Sequence, residues 1–156
     1  MIIRPYIGKQ YNVKSVDYLR GILHVYAKLN EPQTNLVYDY DLLELGTGLD
    51  IQLLLKAQED FKDETPILTA ISTDAFIEEL QSWLFKNGEL TELNLTTQQQ
   101  DQEVKFLYEV IGEALTLKEV FKISELSGSY HFGVCYDYYV LETHGSWYLL
   151  YFLYID

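Results

Sequence analysis

An α+β fold is predicted, with helices packed on an antiparallel β-sheet centred on a C-terminal hairpin, all within a single domain spanning 1–156. Three observations carry this reading. Tyr130 to Glu142 and Trp147 to Ile155 are rich in tyrosine, valine and phenylalanine and flank His144-Gly145, the pattern of two strands joined by a tight turn. From Asp74 to Lys86, the residues Phe76, Ile77, Leu80, Trp83 and Leu84 recur at three- and four-residue spacing, as on one stripe of a helix. No repeat of fixed period and no proline- or glycine-rich linker divides the 156 residues, and a domain of this length removes roughly 70% of its unfolded surface from water. With 48% apolar residues the composition lies far from that of disordered chains.

Taken in order, Ile2 to Ile7 is a short strand candidate. Val16 to Leu29 fits two periods. Val16, Leu19, Ile22 or Leu23, Tyr26 and Leu29 suit a helix, whereas Gly21 and the alternation Leu23, Val25, Ala27 suit a strand. Leu36 to Leu45 reads as a strand. Its alternation sets Val37, Asp39, Asp41 and Leu43 on one face and Leu36, Tyr38, Tyr40 and Leu42 on the other. Leu49 to Phe61 follows Gly46-Thr47-Gly48 and reads as a helix with Ile51, Leu54, Leu55 and Phe61 inward; Pro66 to Ile71 is a further short strand candidate. The helix from Asp74 has marked ends. Ser72 or Thr73 can cap it, Ile71 and Phe76 are spaced as a hydrophobic staple, Asp74 suits the positive end, and Lys86-Asn87-Gly88 reads as a stop.

The polar, glutamine-rich stretch Thr96 to Gln102 reads as a loop. Gln102 to Leu115 is favoured as a helix through Val104, Leu107, Tyr108, Ile111 and Leu115, against Gly112 and the alternation Val104, Phe106, Tyr108, Val110. In the hairpin, a two-residue loop at His144-Gly145 pairs Val140 with Leu149, Tyr138 with Tyr151 and Tyr136 with Leu153 on one face. Tyr139, Leu141, Tyr148, Leu150 and Phe152 fill the other. Both faces are apolar, so these strands require cover on two sides, from their own chain or from a partner subunit.

Charge is segregated along the chain. Residues 1–30 hold five basic side chains (Arg4, Lys9, Lys14, Arg20, Lys28) and one acid, Asp17, whereas 39–103 hold fifteen acids and three lysines. The total is −13, a self-repulsion that raises the question of which positive surface the protein meets. Direct nucleic-acid binding is not expected, because phosphate and the anionic block repel. The N-terminus lacks a charged leader before an apolar stretch, and the longest apolar run, Trp147 to Ile155, is half the roughly twenty residues a spanning helix needs. Cys135 is the only cysteine, which excludes an intrachain disulfide. A cytoplasmic protein that neither binds nor crosses a membrane is expected.

Motifs for chemistry fail one by one. His131 and Cys135, four residues apart on a strand, are separated by roughly 13 Å. His24, His131 and His144 lack the spacing of a local metal site. Glu59-Asp60-Phe61-Lys62-Asp63-Glu64 lacks the alternating ligands, central glycine and final glutamate of a calcium loop, and Gly46-Thr47-Gly48 lacks the lysine of a phosphate loop. No cofactor, metal or catalytic residue is assigned.

What remains is the acidic block with its tyrosines, which can be a solvated face or a recognition surface. As a surface it comprises Tyr38, Asp39, Tyr40, Asp41, Glu44, Glu59, Asp60, Asp63 and Glu64, with tyrosine supplying rigid contact area. The resulting expectation is a binder without chemistry. In general character, though through no motif, the chain resembles bacterial immunity proteins, small inhibitors that neutralise a toxin; that type implies a basic partner met at a surface or active-site cleft. Alternatives are a nucleic-acid mimic of the anti-restriction or anti-CRISPR kind, an enzyme with a dispersed carboxylate site, and a homodimer formed through the apolar hairpin faces.

Overall fold

The computed structural model describes residues 15–31, 35–86, 94–127 and 132–155; the strand candidate at 2–7 lies outside them. The hairpin organises everything else. Strands β4 (Cys135–Thr143) and β5 (Trp147–Ile155) pair as Val140 with Leu149, Tyr138 with Tyr151 and Tyr136 with Leu153, the register expected from a two-residue loop. The amide of Thr143 closes the turn on the carbonyl of Ser146 at 3.1 Å. Around this pair, β1 (Val37–Gly46), β2 (Ile67–Ile71) and β3 (Leu117–Ser124) complete a five-stranded antiparallel sheet in the order β1-β5-β4-β3-β2.

Each face of the sheet has its own cover, supplied by the chain itself. On the first face lie α1 (Val16–Leu29), α3 (Thr73–Phe85) and α4 (Thr97–Leu115), whose Leu23, Trp83 and Leu107 meet Tyr40, Tyr139 and Phe152 of the strands. On the second, the short helix α2 (Ile51–Lys56) and a 3₁₀ turn, η1 (Glu59–Phe61), bring Leu55 and Phe61 onto Tyr138, Val140, Leu149 and Leu153. The first layer is three long helices; the second is little more than two turns.

Local chemistry explains the elements. Ser15 caps α1 by accepting from the Tyr18 amide, and Leu19, Leu23, Tyr26 and Ala27 are buried at helical spacing, which settles the ambiguous region as a helix. Ser72 caps α3 through the Ala75 amide. The stretch expected to be a loop at 96–102 is instead the start of α4: Thr96 accepts from the Gln99 amide at 3.1 Å and Gln99 Oε1 accepts from the Thr96 amide at 2.8 Å, a reciprocal capping box. The expected helix from Leu49 to Phe61 breaks after Lys56, and η1 follows as a separate turn. Strand β4 begins at Cys135; just before it Gly133 sits at φ +94°, where a Cβ would stand 3.0 Å from the Tyr154 carbonyl oxygen.

A buried polar node joins the layers on the first face. The Tyr40 hydroxyl donates to the Trp83 carbonyl at 2.8 Å and accepts from Asn30 Nδ2 at 3.1 Å, with Asn30 and Tyr40 fully buried. It links the C-terminal cap of α1, strand β1 and helix α3. Beside it, Glu79 accepts from the Tyr139 hydroxyl and from Lys122 Nζ, while Trp83 Nε1 donates to Asp137 at 2.7 Å. Lys122 also lies 3.4 Å from Asp137. Each of these groups is satisfied by another, so the cluster ties α3 to β3 and β4.

The helical glycines yield a signed prediction. A Cβ added at Gly21 or Gly112 meets nothing within 4 Å, so each glycine costs only its helix propensity. Gly21→Ala and Gly112→Ala are each expected to stabilise the protein by about 0.5–1 kcal/mol. Gly133→Ala, whose Cβ would lie 3.0 Å from a backbone oxygen at positive φ, is expected to destabilise it. Thermal melts of the three variants check both directions.

Candidate functional site

The thin cover of the second face leaves a groove between η1 and strand β1. Its volume is about 430 Å³, within the range of about 300–1,000 Å³ typical of ligand pockets. The floor is formed by Tyr138, Leu149, Tyr151 and Leu153 of the hairpin, one wall by Asp39 and Leu43 of β1, and the other by residues 58–61. Among the described residues, three carboxylates (Asp39, Glu59, Asp60) and no basic side chain line it.

The alternation of β1 places these groups. Tyr38, Tyr40 and Leu42 turn inward to the helical layer, so Val37, Asp39, Asp41 and Leu43 must turn to the second face. Two carboxylates two residues apart on one strand face stand roughly 7 Å from each other, yet their environments differ. Asp41 is bound in a bidentate pair by Arg20 of α1, with Nε at 2.7 Å and Nη2 at 2.8 Å, and His24 Nε2 lies 3.2 Å away. Burial by itself pushes the Asp41 carboxyl up, but the Arg20 hydrogen bond, the Leu42 amide and the Arg20 charge hold it below the ordinary carboxylate range.

Asp39 has the reverse balance. Desolvation at the groove wall and the like charge of Asp41 raise its carboxyl above the ordinary range, against the Tyr151 hydroxyl, which donates to Oδ2 at 3.4 Å. Among the described residues Asp39 has no basic partner within 4 Å. The floor registers the convergence. Tyr138 is nearly buried, and its hydroxyl is raised first by burial and then by the charges of Asp60, Tyr151 and Asp39. Its ring lies 5.7 Å from that of Tyr151 and edge-on to Phe61 at 5.3 Å.

The structure thus divides the nine residues read from sequence as a surface. Asp39, Glu59 and Asp60 come together in the groove, and Asp41 stands beside it already neutralised. Tyr38 and Tyr40 are buried in the helical-layer core and are unavailable as interface contacts. Glu44 falls on the opposite strand face, and Asp63 is exposed outside the groove lining. Glu64 is buried and accepts from the amide and hydroxyl of Ser127, so it anchors a loop. Tyr138, Tyr151, Phe61 and Arg20 escaped the sequence reading. The predicted cross-strand pairing of Tyr138 with Tyr151 was the available signal, since it puts both rings on the strand face that Asp39 shares.

Elsewhere, Cys135 is a partly buried thiol packed beside the first core and His131 lies outside the described residues. No group of three or more His, Cys, Asp or Glu among the described residues is arranged to hold a metal ion, and no described helix is long and apolar enough to cross a membrane. The chain matches no protein-family model, no curated protein and no solved structure.

The two β1 carboxylates are expected to act on stability with opposite sign. A carboxyl whose folded pKa is depressed contributes stability present above its unfolded value and lost as pH falls through the folded value; a raised one imposes a penalty relieved over the same descent. At pH 7, Asp41→Asn should destabilise by about 1–2 kcal/mol, Arg20 being partly exposed. Asp39→Asn should stabilise by about 0.5 kcal/mol, since solvent screens a group at the groove mouth. Both differences should shrink as pH falls through and below the ordinary carboxylate range, and urea unfolding along that descent checks the signs.

Proposed function

We propose that this protein is a binding inhibitor that docks an acidic groove onto a cationic surface or active-site cleft of a partner protein, as a bacterial immunity protein does with its toxin. The supporting observation is the groove itself. Acids from two separate segments, β1 and η1, converge over a partly aromatic floor, with no basic side chain in the lining among the described residues. Complementary charge would speed encounter and reject anionic competitors, while the floor supplies area that excludes water around the charged contacts. In the complex Asp39 would gain a cation and the half-buried Tyr151 ring would be covered.

Capture with the intact chain at low salt, followed by equilibrium binding of the recovered partner, tests the reading. The affinity is expected to fall by about tenfold or more between about 0.05 and 0.5 M salt. The combined variant Asp39→Asn, Glu59→Gln, Asp60→Asn should weaken binding strongly. A variant that removes the same charge elsewhere, Glu44→Gln, Glu109→Gln, Glu113→Gln, should weaken it little. Equal loss in the two variants, or affinity indifferent to salt, would remove the groove from the interface.

A further inference from the structure

We infer that the groove is the seat of one arginine side chain from the partner protein, with its guanidinium held by Asp39 and its plane laid on the half-buried Tyr151 ring of the floor. This deepens the inhibitor reading and rests on it. The first argument is internal. Two residues along the same strand face, Asp41 is already satisfied by an arginine, Arg20, through two parallel hydrogen bonds of 2.7 and 2.8 Å. Asp39 presents the same group from the same backbone with no cation within 4 Å among the described residues, so an arriving guanidinium would repeat at Asp39 what Arg20 does at Asp41.

The second argument is the shape of the surroundings. A flat, delocalised and weakly hydrated cation stacks on aromatic faces and engages carboxylates in the plane, whereas an ammonium is a compact and strongly hydrated charge. The groove offers an aromatic and aliphatic floor with carboxylates on opposite walls, Asp39 on β1 and Glu59 and Asp60 on η1. Glu59 carries Lys62 at its outer side, but both groups of that pair are largely exposed and exchange readily for another cation.

The third argument identifies the source as a protein and not a free small molecule. Beyond the carboxylates the rim is aliphatic. Val37 and Ile155, cross-strand neighbours, are 50% and 40% exposed, and Leu43 is 36% exposed. A free guanidinium compound leaves that rim in water; a side chain projecting from a protein surface brings apolar neighbours to cover it.

The test needs no natural partner, so it separates this inference from the broader one. Isotope-labelled intact protein is titrated with blocked tripeptides, glycine-X-glycine, in which X is arginine, lysine or citrulline, at low salt. The arginine peptide is expected to give saturable shifts confined to the groove, including the Tyr138 and Tyr151 ring signals. It should bind at least about threefold more tightly than the lysine peptide. The uncharged citrulline peptide should not bind. Asp39→Asn, a variant expected to be at least as stable as the parent, should weaken the arginine peptide by about tenfold. Tyr151→Phe should weaken it less, and Glu113→Gln should leave it unchanged.

Indistinguishable arginine and lysine binding, shifts spread over the acidic surface, or indifference to Asp39→Asn would each overturn the arginine seat. If any of these occurred while partner binding remained dependent on salt and on the groove acids, the inhibitor reading would stand and only its anchor would fall. If the peptide result held but the recovered partner ignored the groove variants, the seat would be real and the inhibitor reading wrong.

Discussion

The structure depends on a hairpin that cannot leave either of its faces in water. Strands β4 and β5 present Tyr139, Leu141, Leu150 and Phe152 on one side and Tyr138, Val140, Leu149 and Leu153 on the other, all buried. Two layers must therefore be found from one chain. Three long helices satisfy the first face with a continuous core. Among the described residues the second face is covered by α2, η1 and Phe132, and α2 meets β1 only near its Gly46 end, which leaves the cover thin beside Asp39 and Leu43. The groove is the consequence of that shortfall, and its floor is hairpin core seen from the uncovered side. This origin also accounts for its aromatic character, because the same tyrosines that pack the centre of the sheet continue out to its margin.

Charge follows the same division of labour. Several of the few cations are engaged in ties between elements: Arg20 holds α1 to β1 through Asp41, Lys122 holds β3 to α3 and β4 through Glu79 and Asp137, and Lys118 meets Glu142 across β3 and β4. These are partly buried or cross-strand pairs, where geometry is fixed and screening is reduced. Among the described residues the groove lining holds no lysine or arginine, and Lys62 pairs with Glu59 beside it. A chain with 24 acids against 11 lysines and arginines cannot neutralise every carboxylate, so where the unmatched ones fall becomes the informative question. One of them, Asp39, falls on a desolvating wall beside another acid, an arrangement that works against folded stability and in favour of an external cation.

The fold was legible where the side-chain pattern and the local backbone agreed. Helix α3 and the hairpin register were readable because period, caps and turn chemistry all named the same element. Helix α1 was ambiguous because Gly21 and a run of alternating residues imitate a strand; Gly21 faces solvent, where the helix tolerates it. The first turns of α4 were hidden by composition, since Gln98 to Gln100 look like a polar loop unless the reciprocal pairing of Thr96 and Gln99 is weighed. Strand β3 passed unnoticed because Lys118, Glu119 and Lys122 interrupt its apolar residues, and its place in the sheet is decided by tertiary pairing with β2 and β4. The acidic residues were visible individually, but which of them converge depends on where η1 lies over the sheet. No local pattern encodes that placement.

The edge of the sheet determines how a partner can reach Asp39. As the terminal one of the described strands, β1 would ordinarily offer its outer backbone amides as a template for another strand. Here the Tyr38 amide donates to Glu31 at 3.0 Å and the Leu42 amide to Asp41 at 2.8 Å, while α1 packs alongside. Two carboxylates thus occupy the positions at which an incoming strand would pair, and any competitor must displace a charged acceptor and also break the Arg20 pair that holds Asp41 in place. Recognition by strand addition is accordingly disfavoured along this edge. The approach left open is from the second face, across the Val37, Leu43 and Ile155 rim and down into the groove, where side chains and not backbone make the contacts. An anchor residue inserted into a depression suits that approach, and Asp41 serves it in two ways: it blocks the edge, and through its like charge it keeps Asp39 in need of a counter-ion.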